Sequence, residues 1–203
     1  MVISYSFGER RKKKGVLPLA SEIEGAKAKT GFFHVKIASN EPKIAFNTEG
    51  VLLDFGGIVK GYAAQEAVDI LKKKGFSACL ADAGGDIFLG DAITIDAGQR
   101  RVGWQIAVGM PQSDSKLFPQ MLNLKNQAIA TSGDMYNFIE INGLRYSHIV
   151  DPKTGLGLTH QRNVTVIAPE GATADWLATA CSVLSIKKAR RLIKKCAVLN
   201  YLY

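Results

Sequence analysis

Tyr136-Asn-Phe-Ile-Glu-Ile-Asn-Gly-Leu-Arg-Tyr-Ser-His-Ile-Val150 reads as two strands, 136–141 and 144–150, joined by Asn142-Gly143. Asn-Gly accepts the positive φ that a type I′ turn needs at both central positions, and the twist of that turn matches the strands it connects. A two-residue connection also makes the two strands antiparallel neighbours. Working outward, alternating or apolar runs near 2–7, 32–37, 43–46, 50–54, 76–82, 86–89, 103–109, 163–168 and 197–202 read as further strands. Helical spacing covers Gly57–Lys74, with Ile58, Tyr62, Val68 and Leu71 as its apolar set and Gly75 as its stop. Two more helices are expected over Thr173–Leu184 and Ile186–Lys195. Ser21 followed by Glu24 resembles a capping box that opens a short helix through about Lys29. Residues 8–15 read as a basic loop, and 111–120, rich in Pro, Ser, Asp and Gln, as another loop. Strands outnumber helices and one hairpin is antiparallel, so the fold class is α+β. No linker or internal repeat interrupts residues 1–203, which are expected to form one domain.

The 203 residues are 47% hydrophobic and 22% charged, which fits a globular chain rather than a disordered or collagen-like one. No apolar run approaches the ~20 residues of a membrane-spanning helix. Lys and Arg number 26 against 18 Asp and Glu, a net charge of +8, which in principle suits a polyanionic partner. Much of the surplus lies in Arg10–Lys14 and in Lys187, Lys188, Arg190, Arg191, Lys194 and Lys195. These runs lack interleaved aromatic residues that could stack on bases, and they read as solvated faces, so no nucleic-acid partner is expected. Cys79, Cys181 and Cys196 are far apart and sit among apolar neighbours, without a Cys-x-x-Cys. Buried thiols in a reducing compartment follow, with no zinc site. Met1–Phe7 is too short and polar for a signal-peptide core, so the chain as written is expected in the cytoplasm.

Three segments carry groups suited to phosphate and metal chemistry. In Asp54-Phe-Gly-Gly-Ile-Val-Lys-Gly-Tyr-Ala63 a strand end feeds a helix. Its paired glycines let backbone N–H groups approach a ligand, and a helix N-terminus favours an anion. Lys60 falls in the first turn, where it opposes the helix dipole; a cation there makes more sense facing phosphate. The second segment joins Thr131-Ser-Gly133 to Arg145-Tyr-Ser-His-Ile-Val-Asp-Pro-Lys-Thr-Gly155, with His148 three residues before Asp151. In the third, Thr173-Ala-Asp-Trp-Leu-Ala-Thr-Ala180, Asp175 and Thr179 stand one above the other on a helix face. A carboxylate and a hydroxyl so placed can give two oxygens to one hard cation. Each segment alone also has an ordinary structural reading: a turn with a solvated lysine, a hydrogen-bonded strand histidine, an aspartate favoured by a helix dipole.

Taken in order, these segments resemble the ApbE family of flavin transferases. Asp54–Ala63 is similar to the family's Asp-Leu-Gly-[Ala/Gly]-Ile-Ala-Lys-Gly-Tyr-Ala, and Ala83-Gly-Gly-Asp-Ile87 to its Gly-Gly-[Asp/Asn]-Ile. Thr131–Gly133, Tyr146–Gly155 and Ala174–Ala180 complete the series from about residue 16 to the C-terminus. The resemblance implies a T-fold-like α+β domain and an Mg²⁺-dependent FAD:protein FMN transferase. Such an enzyme moves FMN from FAD to a Ser or Thr hydroxyl of an acceptor protein and releases AMP. It further implies that Asp54 and Lys60 contact the flavin nucleotide and that Ile149 lines the FAD pocket. The metal would take the carbonyl of Gly57, the carboxylate of Asp175 and the hydroxyl of Thr179, and His148 would be the base for the acceptor hydroxyl. An imidazole suits that task near neutral pH. Members usually carry a substantial earlier segment, and many begin with an export or lipoprotein signal. The chain is therefore expected to be an N-terminally shortened form, whose uncovered apolar surface would favour a homodimer. The same site is open to two other readings: an FAD pyrophosphatase yielding FMN and AMP, and a non-catalytic flavin-binding remnant.

Overall fold

A computed structural model describes residues 16–92, 103–111, 117–133, 137–196 and 199–202. The expected strand 2–7, the basic loop 8–15 and parts of the 103–120 and 134–136 segments lie outside the described residues. Two compact units emerge, one of residues 1–55 and 134–161, the other of 56–133 and 162–203.

The second unit is built on an antiparallel five-stranded sheet. In chain order its strands are β3 (Leu80–Asp82), β4 (Ile87–Leu89), β7 (Gln127–Ser132), β10 (Val164–Ala168) and β11 (Leu199–Leu202), and in space they run β11-β10-β7-β4-β3. Residues alternate between the two faces of a strand, so β7 and β10 feed two separate cores. Ala128, Ala130, Val164, Val166 and Ala168 face the helices α2 (Val59–Lys73), α3 (Gly171–Val183) and α4 (Ile186–Cys196), packing with Val68, Leu177, Cys181 and Ile193. Ile129 and Ile167 point the other way, onto Val108, Ile106, Leu122 and Leu124 of a ribbon formed by β5 (Trp104–Pro111) and β6 (Leu117–Leu124). With both faces covered, every residue of β10 is buried. Of the loop expected over 111–120, Pro111 ends β5 and 117–120 belong to β6, in a ladder running from Pro111↔Leu117 to Trp104↔Leu124; residues 112–116 lie outside the described residues.

Helix α2 buries only the second half of the expected stripe, Val68 fully and Leu71 in part. Gly61, Ala64 and Val68 face inward, whereas Ile58 and Tyr62 are exposed. The reason is steric. A Cβ on Gly61 would stand 2.1 Å from the Gly171 carbonyl oxygen, and one on Gly171 would stand 2.0 Å from the Gly61 carbonyl oxygen. The two backbones meet with no side chain between them, and Gln65 Oε1 accepts the Gly171 N–H at 2.7 Å. On α4 the apolar Ala189 and Ile193 are buried, and all six cations lie on the exposed face. Cys181 is buried and its thiol is pushed up to about 11, chiefly by desolvation, while Cys79 and Cys196 are half-buried.

In the first unit, α1 (Ala20–Lys27) is capped two residues earlier than expected. Leu19 donates its N–H to Glu22 Oε2 at 2.7 Å, and Ser21 lies inside the first turn. A 3₁₀ turn, Phe32–His34, takes the place of the first half of the strand expected over 32–37. It brings the buried His34 ring to Ala28 O, Asn47 Oδ1 and Thr48 Oγ1. The strands β1 (Val35–Ile37) and β2 (Ile44–Phe46) pair so that Val35, Ile37, Ile44 and Phe46 share one face. The strand expected over 50–54 does not form. The hairpin forms as expected from β8 (Phe138–Ile141) and β9 (Leu144–Ser147), with Asn142 at φ 52° and Gly143 at φ 73°. Among the described residues no helix is long and apolar enough to cross a membrane.

Replacing Gly61 or Gly171 by Ala should destabilise the second unit by about 2–3 kcal/mol, because backbone has to move to admit the methyl group. Gly25→Ala, on a helix position with nothing within 4 Å, should instead stabilise by about 0.5–1 kcal/mol. Urea denaturation of the three variants checks both signs.

Candidate active site

The close approach of α2 and α3 fixes what their first turns present. The Asp175 carboxylate is buried at 4% exposure, and its Oδ2 accepts the Gly61 N–H at 3.0 Å. One turn further along α3, the Thr179 side chain lies against Gly57: a Cβ on that glycine would be 3.1 Å from Thr179 Oγ1. Gly57, Asp175 and Thr179, which the family resemblance implies share a cation, lie within one unit, with Thr179 against Gly57. Their oxygens form the carboxylate, hydroxyl and carbonyl set that a hard divalent ion takes. Among the described residues no cation pairs with Asp175, although a buried carboxylate calls for compensating charge. The donor set fits the ion.

Lys60 stands in the first turn of α2, as expected, but its partner comes from the protein itself. The Nζ group contacts Asp86 Oδ2. Asp86 precedes β4 and follows Gly84 and Gly85, whose φ values of 73° and 96° suit glycine at the two positions. Its side chain is 2% exposed, and it also accepts the Thr131 N–H. Burial is the main influence on this carboxyl and raises its pKa above the ordinary range; the Lys60 hydrogen bond opposes the rise and the nearby Asp175 charge adds to it. Thr131 further pairs with the buried Thr165 through their hydroxyls at 2.9 Å. Two buried carboxylates and one half-exposed ammonium therefore share a small volume. Asp86 lies in the Ala83–Ile87 motif quoted above, although the sequence assigned it no site role.

The remaining expected residues belong to the first unit. Asp54 is half-buried at the end of the 51–55 segment. His148 follows β9 and is exposed, its Nδ1 3.1 Å from Asn137 O. A carbonyl oxygen can only accept, so Nδ1 carries the proton and Nε2 keeps the lone pair. That is the tautomer a general base requires. Ile149 is buried; its N–H donates to Ser147 Oγ and its carbonyl accepts from Leu158. Asp151 closes the turn by accepting the Lys153 N–H at Oδ1 and the Gly155 N–H at its carbonyl.

A model of the ApbE family matches residues 1–202. The FAD:protein FMN transferase of Vibrio cholerae serotype O1 is 32% identical over 187 residues, covering 91% of this chain and 53% of that protein. The FAD:protein FMN transferase of Treponema pallidum is 34% identical over 152 residues, covering 72% and 41%. Among solved structures, the flavin transferase ApbE from Vibrio cholerae superposes with a TM-score of 0.79 at 28% identity, covering 92% of this chain and 57% of that one. The ApbE protein of Thermotoga maritima gives 0.74 at 28%, covering 92% and 59%. The chain spans about half the length of the curated relatives it matches.

Lys60→Met should leave the Asp86 carboxylate buried without its cation and cost about 1–2 kcal/mol at neutral pH, the ammonium being half-exposed. The folded state already holds the Asp86 proton more tightly than the unfolded chain, so this group's contribution is fully present at low pH and is lost as pH rises through its folded pKa. Removing Lys60 moves that loss to higher pH. The gap between variant and parent should therefore narrow on acidification, as measured by urea denaturation over a pH series.

Proposed function

The chain belongs to the ApbE family, and on that premise we propose that it is an Mg²⁺-dependent FAD:protein FMN transferase. It moves FMN from FAD to a Ser or Thr hydroxyl of an acceptor protein and releases AMP. The observation that supports this reading most is the grouping of Gly57, Lys60, Asp175 and Thr179 where the start of α2 packs along α3. That grouping offers oxygen donors for a cation and an ammonium for phosphate in one place.

The step balances as a phosphoryl transfer. The acceptor hydroxyl oxygen forms a bond to the FMN phosphorus, the bond from that phosphorus to the bridging oxygen breaks, and AMP departs with that oxygen. The hydroxyl proton goes to His148 Nε2, the nitrogen left with a lone pair when Nδ1 donates to Asn137. Lys60, anchored at one hydrogen by Asp86, keeps donors for the pyrophosphate oxygens. The α2 N-terminus adds its dipole towards the same anion. Mg²⁺, held by the Gly57 carbonyl, Asp175 and Thr179, would supply offset for the charge on the transferring phosphoryl group. Asp54 and Ile149 are assigned to the flavin nucleotide. Residues 1–203 are taken to work as one domain.

Because His148 is exposed, water is a competing acceptor, and AMP formed without a protein acceptor would identify an FAD pyrophosphatase instead. The homodimer rests on the exposed Ile37, Ile44 and Phe46 of the β1–β2 ribbon, and light scattering reads it directly.

Incubation with FAD, Mg²⁺ and a Ser- or Thr-bearing acceptor should give acceptor-dependent AMP, quantified by chromatography. EDTA should stop the release and added Mg²⁺ restore it. Asp175→Ala should lower the rate roughly a hundredfold or more. His148→Ala should lower transfer by about 10²–10⁴-fold while FAD binding persists. AMP-free incubations of the folded chain would sink the catalytic reading and leave a flavin-binding remnant.

A further inference from the structure

Outside the expected residues, the group that most needs explaining is Asp86. It is almost completely buried, holds the only ammonium at the phosphoryl centre among the described residues, and lies near a second buried carboxylate, Asp175. A side chain needed merely to fill that position would not carry a charge, since burying one is costly unless it is used. A mere anchor for Lys60 could likewise be a neutral amide. The carboxylate does something an amide cannot: with Asp175 and Lys60 it leaves the empty-handed centre one negative charge in excess.

We propose that Asp86 couples divalent-cation binding to nucleotide binding at this centre, holding the Lys60 ammonium in place while its charge beside Asp175 repels pyrophosphate until a cation is bound. This rests on the phosphoryl-site reading above and adds a residue and an order of events to it. The geometry supports both halves. Lys60 touches Asp86 with one of three donors and is half-exposed, so two remain for a ligand. Asp86 is fixed by the Thr131 N–H and Asp175 by the Gly61 N–H, so neither carboxylate can swing away from an arriving anion. Burial keeps solvent from screening the pair. A nucleotide without a cation therefore meets a fixed excess of negative charge, and a cation held by Asp175 and Thr179 removes it. By linkage, nucleotide must favour the cation as strongly as the cation favours nucleotide.

Asp86→Asn is the discriminating variant, because the amide oxygen still accepts from Lys60 while the charge is gone. ADP serves as the pyrophosphate probe and Mn²⁺ as the cation, with calorimetry for the former and electron paramagnetic resonance for the latter. In EDTA, Asp86→Asn should bind ADP about tenfold more tightly than the parent, and the gain in ADP affinity on adding Mn²⁺ should shrink by a similar factor. Mn²⁺ alone should bind the variant more weakly. Lys60→Met should do the opposite: weaker ADP binding in EDTA and a larger gain from Mn²⁺. It carries the test by itself if Asp86→Asn fails to fold. An unchanged Mn²⁺ effect in both variants, or a parent chain that binds neither probe, overturns the proposal. The transferase reading fails separately, on absent AMP release in a chain whose ADP and Mn²⁺ binding remain coupled.

Discussion

The contact between α2 and α3 at Gly61 and Gly171 is the constraint from which the rest of the phosphoryl centre follows. Two helices can bring their backbones that close only where both lack a Cβ. The approach places the Asp175 carboxylate within reach of the Gly61 N–H and sets Thr179 beside Gly57. It also dictates the small residues of the surrounding core, the alanines at 64, 174 and 178, since larger side chains would prop the helices apart. The same two glycines therefore serve packing and site geometry at once.

Charge is organised around that contact in two tiers. Close in, two buried carboxylates accept from backbone N–H groups and one of them, Asp86, holds the Lys60 ammonium, in a weakly screened environment. Far out, the cations of α4 cover an exposed helix face whose apolar side is packed into the core. The overall +8 owes much to α4 and to the Arg10–Lys14 run and tells little about the first tier. A reading based on net charge alone would have pointed to polyanion binding along α4 and missed the locally negative centre near Asp175.

Local rules made much of the architecture legible. The Asn142-Gly143 turn, the helices over 59–73, 171–183 and 186–196, and the turn at Asp151–Gly155 depend on neighbours a few residues apart, and each forms close to its expected bounds. The expectations that missed share a different cause. The 111–120 loop is half strand because β5 supplies a ladder that composition does not announce. The stripe of α2 shifted from Ile58 and Tyr62 to Gly61 and Ala64 because α3, more than a hundred residues away, demands small side chains. The capping box slid to Leu19 and Glu22 because a backbone N–H can be capped from within the helix without a Ser at its start.

For the site, residue chemistry by itself determined the candidates: a lysine set against a helix dipole, a carboxylate and hydroxyl one turn apart, a histidine on a strand end. Their types and short-range spacing are properties of the chain and survive any fold. Which groups meet was decided only by tertiary structure. Lys60 and Asp86 are separated by a helix and a strand, and Gly61 and Asp175 by over a hundred residues, so neither pairing leaves a periodic trace in the sequence. The sign of the charge at the centre comes from those long-range pairings, because a buried charge is defined by its neighbours in space and not by its neighbours along the chain.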